Sequence, residues 1–197
     1  MGWMVYHTER REMIADILRN LTFERNGHRM HVVAHCLTGN TLWAVCEHAK
    51  PDLGDQPAES YRFIAVYLIR RYAAGEWGYK DMDEDCGPCE VNCPLAYLEL
   101  APDTGHLGEY SRNWRAKVRA YWAKRQAGRE FARTLKPGDK FYWGPYHITF
   151  ERLDGPNNVI GSSDRGRFRY RTSEIGPIYL EAKPEPVVTF KKEVVLA

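Results

Sequence analysis

The sequence predicts an α+β protein made of two domains, residues 1–133 and 134–197. The first domain is expected to contain a small antiparallel sheet packed by helices and to end in a long basic helix. The second is expected to be a small antiparallel β-barrel, with an SH3-like barrel as one form. Three observations lead to this prediction: an amphipathic helix pattern near the start, a hairpin signal after it, and closely spaced turn residues between short aromatic runs beyond residue 135.

A helix and a hairpin are predicted first. Thr8 can cap a helix over 9–21, because apolar residues recur there every three or four positions. Residues 31–37 and 42–48 are strand-like runs, and the Gly39-Asn40 pair between them favours a tight turn. We therefore expect a core-facing helix followed by two antiparallel strands.

The middle of the chain is predicted to hold a strand, an irregular loop and two helices. Residues 61–71 are aromatic and β-branched enough for a buried strand. Regular patterns then stop for some 20 residues. Pro94 suits the first turn of a short helix that reaches about Leu100, and Ser111 can cap a longer helix that reaches about Arg133.

The sequence pattern of the C-terminal part is typical of a small β domain. Short aromatic runs alternate there with Gly, Pro, Asn and Asp, a pattern typical of antiparallel barrels. The predicted strands are 140–143, 146–152, 158–161, 166–171, 177–180 and 187–196.

The net charge of +2 conceals two halves of opposite sign. Residues 1–105 carry 10 Lys and Arg against 16 Asp and Glu, whereas residues 106–197 carry 18 against 10. Ten of the basic residues lie between Arg112 and Lys140, where the only acidic residues are Glu130 and Asp139. A local excess of this size indicates a surface that attracts anionic partners.

Neither a membrane span nor a secreted disulfide framework is predicted. The longest apolar run, 63–69, is far short of the ~20 residues that a spanning helix needs, and the N-terminus shows no signal-peptide or lipidation pattern. Five cysteines, an odd number with three of them between 86 and 93, are not typical of paired disulfides. We expect a cytoplasmic protein with no membrane partner.

The tetrapeptide Cys86-Gly-Pro-Cys89 has the dithiol sequence of thioredoxins. That chemistry needs a thiol of low pKa at the start of a long helix. Here acidic residues precede the motif, which raises a thiol pKa, and Pro94 follows too soon for a long helix. Redox catalysis is therefore not the expected function.

A zinc site is the alternative use of the same cysteines. Cys86, Cys89 and Cys93 have a spacing that zinc thiolate sites use, and histidine can supply a further ligand. If Gly39-Asn40 is a two-residue turn, His31 lies opposite His48 on the predicted hairpin, and a register slip of one residue would separate them. No cofactor is expected by default, and zinc is the candidate if one is bound.

An enzyme site centred on Cys93 is a second alternative. With Pro94 beginning a helix, Cys93 would sit at the N-cap, where the helix dipole favours a thiolate. A base such as His7 and an acid such as Asp81 would have to be recruited through the fold. The simpler interpretation is that Cys93 is a small buried residue at a helix start.

Basic residues with interleaved aromatics predict a nucleic-acid interface. The long helix carries Arg112, Arg115 and Arg119 along one flank of its apolar stripe and Lys124 on the other. In the run 167–171, three arginines share one strand face and two aromatic residues share the other. Phosphates and unstacked bases need such a surface. The competing interpretation is that the arginines face water and the aromatics face the core. The residues of this candidate interface are Arg112, Arg115, Arg119, Lys124, Arg167, Arg169 and Arg171.

An ordered string of motifs resembles an uncharacterised family of bacterial and mobile-element proteins. The string is Met1-Gly-Trp3, His7, Gly78-Tyr-Lys-Asp-Met-Asp-Glu84, Gly87-Pro88, Cys93-Pro94 and Trp114-Arg115. The resemblance covers about residues 1–125 and implies that these segments meet in space. It implies either a catalytic group of His7, Lys80, Asp81, Asp83, Cys93 and Arg115 or a buried polar network that holds a long loop. It implies no particular reaction.

The leading prediction is a non-enzymatic binding protein that contacts nucleic acid, or a protein complex that handles nucleic acid, through the basic helix and one face of the barrel. Interference of a mobile-element factor with a host complex is a special case. The alternative is an enzyme whose site lies at the acidic, cysteine-containing loop, with Cys93 as nucleophile or with zinc.

Overall fold

The computed structural model describes residues 4–52, 54 and 57–177, without the side chains of Val5 and Tyr6. Two compact units are formed, Met1–Ala123 and Lys124–Ala197, each built on an antiparallel sheet. Their boundary falls inside the long helix. The predicted combination of helices and antiparallel sheets is confirmed. The predicted strand 187–196, and all but the first residue of 177–180, lie outside the described residues.

The sheet of the N-terminal unit has six strands in the order β1-β6-β5-β4-β3-β2, and neighbouring strands are antiparallel. The predicted hairpin and third strand are β3, β4 and β5. The strands are β1 Met4–His7, β2 Phe23–Arg25, β3 His28–Thr38, β4 Thr41–Lys50, β5 Glu59–Arg71 and β6 Trp77–Asp83.

The prediction of an irregular loop after residue 71 is wrong for residues 77–83, which form β6. Its sequence is too polar to show a strand pattern. The neighbouring strand β5 stabilises this polar segment as a strand. β6 pairs with β5 from Arg71↔Trp77 to Ala65↔Asp83, and this pairing satisfies the backbone hydrogen-bonding groups between the two strands.

Three α-helices are present in the described residues, together with short 3₁₀ helices at Glu84–Cys86 and Thr172–Glu174. The α-helices are α1 Arg10–Asn20, α2 Leu95–Leu100 and α3 Glu109–Thr134. The N-cap of α1 is Glu9 instead of the expected Thr8. None of the helices in the described part of the chain is both long and apolar enough to cross a membrane.

Helices cover both faces of the six-stranded sheet. Successive residues of a strand point to opposite faces, so Leu42 of β4 packs in the cluster that contains Met13 of α1, whereas Trp43 packs in the cluster that contains Trp114 of α3. The rings of Trp43 and Trp114 stack with centroids 6.2 Å apart. The continuous apolar run of β4 follows from this double coverage.

A β-bulge changes the register of the predicted hairpin. Residues pair from Thr38↔Thr41 to Ala34↔Val45 in the register expected for a Gly39-Asn40 turn. The register then shifts by one residue at the bulge, between Val32 and Ala34. His31 consequently lies opposite Glu47, and the prediction that it faces His48 is wrong.

The C-terminal unit contains a curled sheet of five strands in the order β10-β9-β8-β7-β11. Phe141, Ile148, Phe150 and Val159 form its core with Ala132 of α3. The first four predicted strands are confirmed within two residues, and the short strand β11 was not predicted. The bounds are β7 Lys140–Trp143, β8 Tyr146–Leu153, β9 Asn158–Ser163, β10 Gly166–Arg171 and β11 Ile175–Gly176.

Candidate functional site

A groove of about 700 Å³ opens on the sheet of the C-terminal unit. Side chains alternate along each strand, so Trp143 of β7 lies on the same face as the core residue Phe141, and Tyr146 of β8 lies on the same face as the core residue Ile148. The groove therefore continues the core face of the sheet beyond the packed end. We call it the aromatic groove, defined by Trp143, Tyr146, Phe168 and Tyr170.

Three of the four rings are open to solvent. Phe168 is 49% exposed, Tyr146 41% and Trp143 37%, whereas Tyr170 is buried beneath them. Trp143 stacks on Tyr146 at a centroid distance of 6.0 Å and an interplanar angle of 23°, and it meets Tyr170 at 5.5 Å. A contiguous exposed aromatic surface of this kind is typical of a binding site, because single exposed apolar residues are common and clusters of them are not.

Charged side chains stand at the rim of the aromatic groove. The guanidinium of Arg165 lies 5.0 Å from the ring centre of Tyr146, which is a cation–π geometry. Glu174 accepts a hydrogen bond from the indole N–H of Trp143 at 3.2 Å. Arg171 and Asp164 also line the groove. The site therefore combines flat apolar faces with charges of both signs.

Along β10 the arginines alternate with Phe168 and Tyr170, as predicted, and Arg169 and Arg171 also contribute to the lining of the groove. Two of them are held by carboxylates: Arg167 Nε lies 2.6 Å from Glu151 Oε2, and Arg169 Nε lies 2.6 Å from Asp154 Oδ2. Arg171 is exposed and forms no ion pair with any residue that the structure describes. Arg171 is thus the cation of this strand best placed to meet an anion.

On α3, Arg112, Arg119 and Lys124 are exposed, as the prediction requires. Arg115 is not. It is 1% exposed and forms a two-pronged ion pair with Glu84, while it donates a further hydrogen bond to the carbonyl oxygen of Ala101. The assignment of Arg115 to a binding surface is wrong, because its guanidinium lies inside the core and has its partners there.

The candidate metal ligands do not come together. Cys86 and Cys89 are exposed, whereas Cys93 is fully buried. The bulge in β3 puts His31 opposite Glu47, and His48 lies opposite Met30. Within the described ranges, no three His, Cys, Asp or Glu side chains are close enough to hold a metal ion.

The three candidate catalytic residues are divided between the two faces of the six-stranded sheet. Cys93 belongs to the cluster beneath α2 and α3. Asp81 lines a small cavity with Leu21, on the side that α1 covers, and His7 Nε2 lies 3.6 Å from Asp16 of α1. The sheet therefore separates the thiol from the base and the acid that were expected to activate it.

Cys93 and Cys86 also lack the environment of a nucleophile. Burial raises the pKa of Cys93 to about 12, and the carboxylate of Glu84 acts in the same direction. At Cys86 a backbone hydrogen bond from Asp83 lowers the pKa, but burial and the nearby carboxylates raise it by more, so the net direction is upward. This agrees with the expectation that acidic neighbours disfavour a thiolate in this segment.

The segment between β6 and α2 is tied to α3 by polar contacts. Arg115 holds Glu84, the indole N–H of Trp114 donates to the carbonyl of Glu90 at 2.8 Å, and that of Trp122 donates to the carbonyl of Cys93 at 2.7 Å. These contacts fix the segment against α3.

Trp143 and Tyr146 are site residues that the sequence patterns did not single out. Alternation identifies each of them only as a strand residue, because it shows which residues share a face and does not show where the core ends along that face. The one available signal was the Trp143-Gly-Pro-Tyr146 turn, which places two aromatic rings at adjacent strand ends.

Comparisons of this chain with protein-family models, with curated proteins and with solved structures found no match.

Proposed function

We propose that this protein binds nucleic acid and acts without catalysing a reaction. The observation that carries the proposal is the aromatic groove, where three exposed rings stand beside Arg165 and Arg171. Aromatic faces and arginines in one place suit nucleic acid, because bases stack on the first and phosphates pair with the second.

The exposed cations of α3 support the same proposal. Arg112, Arg119 and Lys124 face solvent, and Glu109 and Glu130 are the only acidic residues of that helix. Each phosphate contact made by such a residue releases counterions and adds affinity that does not depend on base sequence. The helix would supply affinity, and the groove would supply contacts to bases.

The enzyme alternative has less support. It requires Cys93 to act as a nucleophile, yet that thiol is buried and lies across the sheet from Asp81. A nucleophile also needs a base within hydrogen-bonding distance. Among the described contacts of the Cys93 sulfur is one to the carbonyl oxygen of Pro94 at 3.7 Å, which supplies no base.

The SH3-like barrel belongs to this proposal as well. Its support is the return of the last described strand, β11, to pair with the first strand of the unit, β7. The sheet is curled, and its edge strands are β10 and β11. Closure of the barrel would require these two edges to approach each other.

The test is the salt dependence of binding. The full chain is titrated into a labelled oligonucleotide between 50 and 200 mM salt, and fluorescence anisotropy gives the affinity. We expect the logarithm of the affinity to fall by about 0.7 to 0.9 per phosphate contact for each tenfold rise in salt. Affinity that does not change with salt would contradict the proposal.

Matched variants identify the cations involved. Arg119→Ala and Lys124→Ala should each weaken binding to all sequences and reduce the salt slope by about one. Arg29→Ala is the control, because Arg29 is an exposed arginine of β3 that is absent from the proposed surface. Equal effects of all three substitutions would remove α3 from the interface.

A further inference from the structure

We infer that the aromatic groove accepts unpaired bases, so that the ligand of this protein is a single-stranded nucleic acid. This inference rests on the proposed function and narrows its ligand. It assigns base stacking to Trp143, Tyr146 and Phe168 and phosphate contacts to Arg165 and Arg171.

The first support is the shape of the groove. Its volume of about 700 Å³ lies within the roughly 300 to 1,000 Å³ typical of sites for small organic groups. The rings of Trp143 and Tyr146 are nearly parallel, with an interplanar angle of 23°. Phe168, which is half exposed, also lines the groove. Flat apolar faces of this kind match the face of a base and do not require a particular base.

The second support is that the rings are held in place before any ligand binds. The indole of Trp143 is anchored by Glu174 at 3.2 Å, and its ring leans on the buried Tyr170 at 5.5 Å. The ring of Tyr146 contacts the ring of Trp143 at a centroid distance of 6.0 Å, and the guanidinium of Arg165 lies 5.0 Å from its centre. Little side-chain entropy is lost when a ligand stacks on rings that are already ordered.

The third support is the distribution of charge. Three arginines line the groove, Arg165, Arg169 and Arg171. Arg169 is engaged by Asp154, which leaves Arg165 and Arg171 as the groove cations without an ion pair among the described residues. They lie at the rim, where the phosphates of a strand whose bases point inward would pass. Arginine recognises phosphate with two parallel hydrogen bonds.

The two carboxylates of the groove are compatible with a nucleotide. Glu174 is hydrogen-bonded to Trp143, and Asp164 lies in the turn between β9 and β10. A carboxylate can accept hydrogen bonds from the exocyclic amino group of a base, as Asp and Glu do with cytosine in other complexes.

Aromatic clusters also bind quaternary ammonium groups, which makes such a cation the competing occupant. The lining contains three arginines, Arg165, Arg169 and Arg171, and two carboxylates, Asp164 and Glu174, and the guanidinium of Arg165 already lies against Tyr146. A cationic ligand would meet an excess of positive side chains, whereas an anionic strand is attracted. The charges therefore favour the nucleotide.

A duplex cannot use the groove in this way, because its bases are stacked on one another and paired. The inference therefore predicts a preference for single strands over duplexes at equal length. Contacts from α3 to phosphates would not produce that preference.

The experiment compares the full chain with three groove variants, Phe168→Ala, Phe168→Leu and Tyr146→Ala. Binding to a labelled 12-nucleotide thymidine oligomer is measured by fluorescence anisotropy at low salt, with a duplex of equal length as competitor. We expect each alanine substitution to weaken single-strand binding about 5- to 140-fold, the loss that follows from removing one stacked base. Phe168→Leu keeps apolar volume without an aromatic face and should also weaken it. Quenching of Trp143 fluorescence by the oligomer should disappear in Trp143→Phe.

Tyr110→Ala is the matched control, since Tyr110 is 73% exposed on α3, outside the groove, and should bind as the wild type does. Wild-type affinity of the groove variants, or equal binding of the duplex, would overturn the single-strand inference and leave nucleic-acid binding intact. Absence of binding to any nucleic acid would overturn both. Quenching of Trp143 by a trimethylammonium compound, without quenching by the oligomer, would assign the groove to a cation instead.

The melting temperature reports whether the chain itself covers the groove. Phe168→Ala should lower it far less than Ile148→Ala, because Ile148 is buried in the core of the unit and Phe168 is half exposed. A loss as large as that of Ile148→Ala would mean that Phe168 is packed in the folded chain, which would overturn the inference.

Discussion

Arg115 and Glu84 form an ion pair that is almost completely removed from water in the N-terminal unit. The Glu84 carboxylate receives two guanidinium donors and also the backbone N–H of Ile64 at 2.9 Å, so its oxygens are satisfied. The pair joins the 3₁₀ helix after β6 to α3 and to the centre of β5. A side chain expected to bind a partner is therefore part of the core.

Removal of either member of this pair should destabilise the N-terminal unit strongly. Arg115→Met leaves the Glu84 charge buried without its partner, and the expected loss in the free energy of unfolding is about 3–5 kcal/mol. Urea unfolding followed by circular dichroism measures it. The double variant Arg115→Met, Glu84→Leu should recover most of that loss, since neither charge then remains buried. The exposed Arg119→Met is the control and should change little; a single Arg115 variant as stable as this control would contradict the prediction.

Cys93 should react far more slowly with iodoacetamide than Cys89 at neutral pH. Cys93 is fully buried and its pKa is raised to about 12, so both access and thiolate population are low, whereas Cys89 is exposed. Mass spectrometry of time points gives the rate at each cysteine, and all five should react alike in denaturant. Fast labelling of Cys93 in the folded chain would revive the enzyme alternative.

Gly128→Ala should destabilise the C-terminal unit, although alanine is the better helix former by about 1 kcal/mol. A Cβ at Gly128 of α3 would overlap the carbonyl oxygen of Thr172, a backbone atom that cannot turn away. Overpacking of this kind costs about 1–3 kcal/mol. Thermal melts compare it with Ala127→Ser, an exposed neighbour on the helix. A rise in melting temperature would contradict the prediction.

Stability should fall as the pH drops below the ordinary pKa of histidine, 6.5, in part because of His48. Burial, followed by the positive charges of His28 and Lys50, lowers the pKa of His48 in the folded state. The unfolded chain then binds more protons than the folded chain, so this contribution is fully present above pH 6.5 and is lost as the pH falls toward the lower folded value. His48 also contacts the hydroxyl of Tyr61 at 3.1 Å and the ring of His28 at 3.3 Å.

The measurement is the difference in unfolding free energy between pH 7.5 and pH 5, for the wild type and for His48→Gln. The variant should show a smaller decrease, because glutamine does not titrate. Equal decreases in the two proteins would assign the pH dependence to other groups.

Much of the local structure could be predicted from the sequence alone. Short-range patterns determine the amphipathic α1, the β3–β4 hairpin with its turn at Gly39-Asn40, and the long α3, because the residues concerned interact within a few positions of one another. The alternation that places the arginines of 167–171 on one strand face and the aromatics on the other is equally local, and it was predicted correctly.

Other features were decided only by tertiary structure. β6 exists because the long β5 offers a complete ladder of backbone partners to a polar segment. One bulged residue in β3 moves His31 out of register with His48, and no local sequence pattern in the strand predicts this bulge. Arg115 is buried because it pairs with Glu84, which lies 31 positions away in the chain, in the 3₁₀ helix after β6.

The segment 77–94 shows the division most clearly. Its composition indicates polar contacts and thiols, but only the fold decides that Glu84 is buried, that Asp81 faces α1 and that Cys93 faces α3. Likewise, composition supplies the aromatic rings of the C-terminal unit, whereas the packing of its strands decides which rings become core and which remain open in the groove. Burial is a property of the whole packed chain, and for that reason the sequence predicts the residue types of a site before it predicts its geometry.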